Sequence, residues 1–242
     1  MSDPNQIHYK RVRVKFSKYG PVKYVGHLDM MRFFQKAIRR SGLNIRYSEG
    51  YSPHQIMSFA SPLSVGAESD AEYFDMDMIT TPEPEEALQK LNAQCVPGIR
   101  VLSYIKLPEN APKAMAAVYA SDYEIKLPGK TMTYAGDMNA LSEKITEYLA
   151  RSEIIITKAS KKGDRQINIR PLIMKLEPVL PNILFARIRS GSESNLNVKV
   201  LAESFAGFCG IYSEDLLFSY TRKEVYYVKD TIDGKRLAPL DR

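Results

Sequence analysis

Two of the three histidines lie where a proton-transfer site could form. His27 and Asp29 stand at the start of a predicted helix, and His54 ends a predicted loop at residues 50–54. A loop and a helix start can converge, and a histidine paired with a carboxylate can act as a general acid or base. His27, Asp29 and His54 are therefore the candidate catalytic residues. The alternative is that they cap the helix and hold the loop in place.

Basic residues recur along one face of the helix predicted at residues 27–41. They are Arg32, Lys36, Arg39 and Arg40, at the spacing that places side chains on one helical face. Such a stripe can follow phosphates, because each bound cation releases a condensed counterion. The alternative is a solvated face whose last cations complement the helix dipole.

A second basic group surrounds a Lys-Lys-Gly-Asp turn that predicts a β-hairpin. Only Asp164 offsets these charges nearby, so on a protruding hairpin they could bind a phosphate backbone. The group consists of Lys158, Lys161, Lys162, Arg165, Arg170 and Lys175.

A third possible anion site follows, where a predicted strand ends and a helix is about to start. Arg187, Arg189 and Ser192 lie in this stretch, and the free backbone amides of a helix start suit an anion. Ordinary N-capping by Ser194 or Asn195 explains the same polar residues.

Other chemistries lack their characteristic residues. The histidines show no metal-ligand spacing, and the chain has no phosphate-binding glycine loop, no Gly-x-Ser-x-Gly motif and no cysteine triplet for an iron–sulfur cluster. Cys95 and Cys209, the only cysteines, each lie in an apolar stretch, which predicts two buried thiols rather than a disulfide. We expect neither a metal nor another cofactor.

Hydrophobic periodicity predicts an α+β protein with two tandem ferredoxin-like units, each of the order β-α-β-β-α-β, and a hairpin inserted in the second. The first unit covers residues 1–107, with its second strand at residues 44–47. A linker at residues 108–116 precedes the second unit at residues 117–230. Residues 231–242 are predicted to form a weakly ordered tail.

Charge is segregated along the chain, although the net charge is only +6. Residues 1–46 hold 11 Lys/Arg and 2 Asp/Glu, whereas residues 47–99 hold 1 and 9. A basic segment is typical of nucleic-acid binding, but the acidic segment can neutralise it within one domain. The first and third strands of a ferredoxin-like sheet are neighbours, which predicts ion pairs on its open face. The facing residues are Arg11, Arg13 and Lys15 against Tyr73, Asp75 and Asp77. This face would then pair internally or pack against the second unit.

The chain has no sequence signal for a membrane. No apolar run approaches the roughly 20 residues that a spanning helix needs. The N-terminus lacks the charged-then-apolar layout of a signal peptide. We therefore expect a cytoplasmic protein.

Dense motifs occur in both halves of the chain. The first half contains Arg11-Val12-Arg13-Val14-Lys15-Phe16, Gly26-His27-Leu28-Asp29, and Tyr47-Ser48-Glu49-Gly50-Tyr51-Ser52-Pro53-His54, the last continuing through residues 58–69. Residues 164–171 and 191–196 add to them. On these motifs the chain resembles, from about residue 9 to 228, the bacterial radical-SAM-linked protein family, a domain of unknown function encoded beside or fused to radical SAM proteins. The family pattern is densest at Gly26-His27-Leu28-Asp29 and at Gly50-Tyr51-Ser52-Pro53-His54, which favours a site there. Tyr47, Gly50 and Tyr51 are further candidate binding residues.

The resemblance implies a radical SAM protein as partner, without a cluster carried by this chain. Together with the basic groups, it favours an accessory RNA-binding protein that works with a radical SAM enzyme in tRNA or rRNA modification. The alternatives are an RNA-modifying or RNA-processing enzyme with a site around residues 50–54, and a protein–protein scaffold. Two tandem ferredoxin-like units also resemble, at the level of fold alone, pseudouridine synthases and CRISPR repeat-processing proteins. DNA is not expected as a partner.

Overall fold

The chain forms two compact units. The computed structural model describes residues 9–128, 137–158, 163–180, 182–210, 217–232 and 234–242. Unit 1 comprises Met1–Val118 together with Val225–Arg242, and unit 2 comprises Tyr119–Glu224. The last segment of the chain thus belongs with the first unit, whereas the hydrophobic pattern predicts it as the end of the second unit and a tail.

Unit 1 begins with the predicted element order β-α-β-β-α-β. Its elements are β1 (Lys10–Lys18), α1 (His27–Arg40), β2 (Met57–Phe59), β3 (Glu68–Met78), α2 (Pro84–Asn92), β4 (Ile99–Lys106) and α3 (Ala114–Ala117). Two strands near the C-terminus complete it, β10 (Ser219–Thr231) from Val225 onward and β11 (Gly234–Pro239). The strand order is β4-β1-β3-β10, with β2 also on β3 and β11 on β10. β1 runs antiparallel to both β3 and β4.

The strand predicted at residues 44–47 is wrong. This stretch makes only isolated bridges, from Ile45 to Met78 and from Tyr47 to Gln55. The second strand is instead Met57–Phe59, which pairs antiparallel with β3. Residues 57–59 pair with β3 because Phe59 is buried in the core there, with 5% of its surface exposed.

The core of unit 1 lies between α1 and one face of the sheet. Alternate residues of β1, among them Val14 and Phe16, are fully buried, as the period-2 pattern predicts. Four phenylalanine rings meet there, with centroid distances from 4.6 to 6.2 Å: Phe16, Phe34, Phe59 and Phe74. Because α1 buries its apolar face against this cluster, its basic face points away from the sheet.

The opposite face of the sheet carries the predicted cross-strand pairs. Arg13 lies opposite Asp75 and binds its carboxylate with Nε at 2.7 Å and Nη2 at 3.0 Å. Arg11 faces Asp77 at 3.5 Å, and the Lys15 Nζ lies 5.4 Å above the facing ring of Tyr73. Internal pairing is therefore confirmed. The face is also covered, since Arg13 and Asp75 are only 4% and 3% exposed.

Segments predicted as linker and tail cover this face. Arg13 donates from Nη1 to the Leu240 carbonyl at 3.0 Å and from Nη2 to the Pro112 carbonyl at 2.9 Å. The Ala114 backbone N–H donates to Asp75 Oδ2 at 2.7 Å. Leu240 is 2% exposed and packs in a small apolar cluster with Val225. The buried ion pair, with its spare donors and acceptor, thus attaches residues 108–116 and the C-terminal segment to the sheet.

Unit 2 contains the predicted inserted strand pair. Its elements are β5 (Ala120–Lys126), α4 (Met138–Ala150), β6 (Ile155–Lys158), β7 (Arg165–Asn168), β8 (Ile173–Leu180), β9 (Ile183–Arg189), α5 (Val198–Phe208) and the part of β10 before Val225. The strand order is β10-β5-β9-β8, and β6 and β7 pair separately and antiparallel. The α+β class is confirmed, whereas the tandem ferredoxin-like assignment stays a prediction.

Candidate anion-binding cleft

A cavity of about 310 Å³ lies between α1 and the loop at residues 48–54. We call it the α1 cleft. Its lining residues are Arg32, Gln35, Lys36, Arg39, Tyr47, Pro53, His54 and Gln55. The structure thus brings together two predicted groups that are separate in the sequence, the basic stripe of the helix and the loop that follows it.

Helix α1 presents three cations to the cleft. Arg32 Nη1 lies 3.1 Å from Asp29 Oδ1, but both side chains are about two-thirds exposed, and such surface pairs are weak. Lys36 and Arg39 are exposed, and neither forms an ion pair or side-chain hydrogen bond within the part of the chain that the structure describes. Three positive charges therefore remain available to a ligand, without a carboxylate among the residues that line the cleft.

The other wall is a loop closed at its neck by backbone pairing. Tyr47 and Gln55 form an antiparallel bridge, and the Ile56 N–H donates to the Arg46 carbonyl at 2.9 Å. At the tip, Gly50 has φ +106°, a conformation that a residue with a side chain rarely adopts. The two ends of the loop are therefore held together beside the cleft by this pairing.

Ser48 holds the ring of His54 in place. The Ser48 Oγ accepts the His54 backbone N–H at 3.0 Å and lies 2.9 Å from the ring Nδ1. The hydroxyl can donate to Nδ1 or accept from it, according to the tautomer of the ring. The two contacts with Ser48 therefore fix the orientation of the His54 ring at the cleft.

Gln55 is the buried residue of the cleft. It is 6% exposed, and its Nε2 donates to the Gln35 carbonyl at 3.2 Å and to the Tyr47 hydroxyl at 3.3 Å. Its Oε1 is buried and accepts no hydrogen bond from the described residues. No sequence pattern predicts Gln35 or Gln55 as site residues, since an isolated glutamine carries neither charge nor a motif.

The three candidate catalytic residues do not all line the cleft. His54 does, but the His27 ring lies edge-on to Phe59 with centroids 5.2 Å apart, and Asp29 pairs with Arg32. The lining residues include His54, but no carboxylate to pair with it. This arrangement suits binding of an anion better than general acid–base catalysis.

Two other residues from these predicted groups lie elsewhere. Arg40 donates from Nε to the Gln94 side chain at 3.1 Å and from Nη2 to the Gln94 carbonyl at 3.4 Å, so it ties α1 to the end of α2. Tyr51 is fully exposed next to Gly50. The basic stripe therefore divides into three residues at the cleft and one that contacts Gln94.

Several predicted binding cations of unit 2 have structural partners. Arg170 is half-buried and donates from Nε to the Leu149 carbonyl at 2.8 Å. The Lys175 Nζ lies 2.8 Å from Glu177 and 5.4 Å from the centre of the Phe185 ring. Arg170 is thus occupied within unit 2, whereas the Lys175 pair is exposed and weak, like that of Arg32 with Asp29.

The same holds at the end of β9. Arg187 binds the buried carboxylate of Asp122 through two hydrogen bonds, at 2.7 and 2.8 Å. The Arg189 guanidinium lies 3.5 Å from the centre of the Tyr119 ring and donates to the Ser194 hydroxyl at 3.0 Å. Ser192 is exposed. The N-cap of α5 is Asn197, which accepts from Lys199 N, and not Ser194 or Asn195.

The strand pair of unit 2 carries the remaining cations of its basic group. Lys158 faces Arg165 across β6 and β7, and both are exposed without a side-chain partner among the described residues. Lys161 and Lys162 lie outside the described residues. Within the described part of unit 2, Lys158 and Arg165 therefore remain available to a polyanion, and Lys175 is held only by a weak surface pair.

Neither cysteine forms a disulfide, as predicted, although both are half-buried rather than fully buried. Burial raises the pKa of Cys209 to about 11 and also raises that of Cys95.

Since the thiolate is the nucleophile, we expect iodoacetamide to alkylate Cys209 about 100-fold more slowly near neutral pH than an exposed cysteine. The rate should keep rising with pH until about pH 11. Mass spectrometry of the labelled peptides measures this, with Ser192→Cys as the exposed control. Equal rates at Cys209 and the control would contradict the prediction.

Two further classes of feature are absent from the described residues. They contain no cluster of three or more His, Cys, Asp or Glu that could hold a metal ion. In the same ranges, no helix is long and apolar enough to cross a membrane.

An α+β fold with three available cations around a small cleft defines the chain as a candidate anion-binding protein. Residues 11–199 match the model of a family described as "Uncharacterized protein conserved in bacteria (DUF2344)". The chain belongs to this family, and the whole α1 cleft lies within the matched residues. No curated protein matches the chain.

Proposed function

We propose that this protein is an accessory RNA-binding protein, which binds single-stranded RNA in the α1 cleft and presents it to a radical SAM enzyme for tRNA or rRNA modification. The observation that carries the RNA-binding part is the exposed pair Lys36 and Arg39, which line the cleft beside Arg32 without carboxylate partners among the described residues. The radical SAM partner is proposed from the sequence motifs alone.

The spacing of the cations favours a polymer over a small anion. From Arg32 to Arg39, α1 rises about 10 Å, which is longer than a single phosphate group. A chain of successive phosphates can therefore contact all three cations, each contact releasing a counterion. Tyr47 is 44% exposed at the cleft and Tyr51 is fully exposed at the loop tip, so both offer rings on which unpaired bases can stack.

The fold assignment adds support of a weaker kind. We interpret the two units as tandem ferredoxin-like folds, an architecture that other RNA-handling proteins also have, and we place the protein in the cytosol. Fold alone does not define function, so the proposal depends on the cleft.

Salt dependence tests the RNA-binding part of the proposal. With a labelled single-stranded RNA of about 12 nucleotides, we expect measurable affinity at low salt. Three phosphate contacts should give a slope of about −2 for log K against log salt concentration. Fluorescence anisotropy between about 50 and 200 mM salt measures both. Negligible binding at low salt, or binding indifferent to salt, would refute it. Co-purification with a radical SAM protein after nuclease treatment tests the partner separately.

A further inference from the structure

We infer that unit 2 carries a second binding site, which takes a small amphipathic anion, a molecule with an apolar body and one acidic group. The site is a cavity of about 560 Å³ lined by the strand pair β6 and β7, the segment after β9 and helix α5. We call it the unit 2 pocket. The inference goes beyond the proposed function, since it concerns neither the α1 cleft nor RNA.

The walls of the unit 2 pocket are mainly aliphatic. More than half of the lining residues are isoleucine, leucine or valine. Ile169 and Leu196 are buried, whereas Ile155 is 47% exposed, so the apolar wall continues from the interior to the surface. A concave apolar site of this volume is typical of those that bind drug-sized molecules. No aromatic ring lines the pocket among the described residues, so it offers no platform on which RNA bases could stack.

Two sequence motifs of the second half of the chain meet at this pocket. Residues 164–171 contribute Ile167 and Ile169, and residues 191–196 contribute Asn195 and Leu196. The Leu196 backbone N–H donates to the Arg189 carbonyl at 3.0 Å, which holds the second motif at the end of β9. The α1 cleft uses neither motif, so the pocket is the feature of the described structure that brings them together.

One face of the strand pair carries both apolar and basic residues. Ile156 lies opposite Ile167, and Lys158 lies opposite Arg165. Side chains two residues apart on a strand share a face, so all four are on the same face of the pair. Ile156 and Ile167 line the pocket and are half-buried, which shows that this face turns towards it. The two cations therefore lie beside the apolar wall, and Lys158 itself lines the pocket.

The two facing cations favour an acidic group on the ligand. Like charges directly opposite each other on neighbouring strands are unfavourable, and an anion bound between Lys158 and Arg165 would remove this repulsion. The pocket is also lined by one carboxylate, that of Glu203. Its Oε1 lies 3.7 Å from the Lys199 Nζ, so a cation outside the lining already offsets its charge. The charge and the walls together define an apolar molecule with an acidic group.

Two fluorescent probes with the same rings test this class of ligand. Anilinonaphthalene sulfonate (ANS) carries a sulfonate, and phenylnaphthylamine has the same body without it. We expect both to bind and ANS to bind about fivefold more tightly, because the two cations contact the sulfonate. Fluorescence titration of the full chain measures both affinities. Equal affinities for the two probes would overturn the inference.

A charge variant assigns the preference to the strand pair. Lys158→Gln with Arg165→Gln should lower ANS affinity to that of phenylnaphthylamine and leave phenylnaphthylamine binding unchanged. The matched control is Lys126→Gln with Lys229→Gln, which removes two exposed lysines that do not line the pocket, and it should retain the preference for ANS. A preference that persists in the Lys158 and Arg165 variant, or that disappears in the control, would contradict the assignment.

Two apolar variants locate the rings of the probes. Val200→Phe fills part of the cavity from α5, and Ile155→Ser removes an apolar side chain at an exposed position. Each should weaken both probes about fivefold or more. Leu180→Ser, at a position that is 51% exposed and does not line the pocket, should change neither affinity. Thermal unfolding verifies the fold, and Ile155→Ser keeps the test valid if Val200→Phe does not fold.

The outcomes are independent of those for the RNA proposal. Probe binding that is unchanged in folded Ile155→Ser and Val200→Phe would place the probes elsewhere and overturn this inference. Displacement of ANS by single-stranded RNA would assign the pocket to the nucleic acid and overturn it as well. Weaker probe binding in both variants, with no displacement by RNA, supports the inference whether or not the α1 cleft binds RNA.

Discussion

Replacing both Lys36 and Arg39 by glutamate should weaken RNA binding about 100-fold at low salt, equivalent to ~3 kcal/mol. The change removes two of the three cations that line the cleft and adds two negative charges that repel phosphate. Both side chains are exposed, so the fold should be affected by less than about 0.5 kcal/mol. The residual binding should also show a shallower salt dependence. Fluorescence anisotropy of labelled RNA over a salt series measures both effects.

The matched control changes the same number of charges on unit 2. Lys158→Glu with Arg165→Glu alters net charge equally and also concerns two exposed residues. Because the general attraction between protein and RNA falls equally in both double variants, only the local contacts differ. We expect the control to lose no more than about threefold in affinity. A larger loss in the control than in Lys36→Glu with Arg39→Glu would move the RNA site to the strand pair of unit 2.

The contrast between these two surfaces shows what a sequence can reveal about charge. The stripe on α1 is predictable, since a helix with a buried apolar face must expose the residues at Arg32, Lys36 and Arg39. The ion pair of Arg187 is not predictable from local sequence, because its carboxylate partner, Asp122, lies 65 residues away in the chain. Local charge counts therefore overestimate the basic surface of unit 2.

The alternation of charge on β1 and β3 does predict ion pairs, because neighbouring strands follow from the predicted topology. The pairing of Arg13 with Asp75 could be predicted from the sequence. Its burial could not, since the covering groups come from Pro112 and Leu240, in segments without hydrophobic periodicity.

In the α1 cleft too, the local features are predictable from the sequence and the long-range contacts are not. The residues of α1 and of the loop, including His54, were predictable as separate groups from helical spacing and from a dense motif. Their meeting in one cavity depends on the bridge between Tyr47 and Gln55, which replaces the strand predicted at residues 44–47. Gln55 is fixed there by the contacts of its amide nitrogen with the Gln35 carbonyl and the Tyr47 hydroxyl, which no local sequence pattern predicts.

Arg–Asp pairs with a buried carboxylate occur in both units and neutralise two of the arginines. In unit 1, Arg13 on β1 pairs with Asp75 on β3, and in unit 2, Arg187 on β9 pairs with Asp122 on β5. Each pair joins facing residues of neighbouring antiparallel strands through two hydrogen bonds. These arginines thus contribute to the architecture, and removing one should affect stability more than binding.

The largest loss of stability is expected for Arg13→Ala, which should lower the free energy of unfolding of unit 1 by about 3–5 kcal/mol. The substitution leaves the Asp75 carboxylate, 3% exposed, without its counter-charge, and a buried unpaired charge is strongly unfavourable. It also removes the donors to the carbonyls of Pro112 and Leu240. The C-terminal segment should therefore loosen before the rest of unit 1.

Arg11→Ala is the matched control, because Arg11 lies two residues away on the same face of β1. Its pair with Asp77 is longer, at 3.5 Å, and both side chains are at least 20% exposed, so its loss should change stability by only about 0–1 kcal/mol. Urea unfolding measures the stability of the two variants, and hydrogen exchange of the native proteins measures local opening at β1 and β11. Arg13→Ala should accelerate exchange at β11, since the Leu240 contact beside that strand is lost. A smaller effect for Arg13→Ala than for Arg11→Ala would show that the ion pair does not hold the C-terminal segment on the sheet.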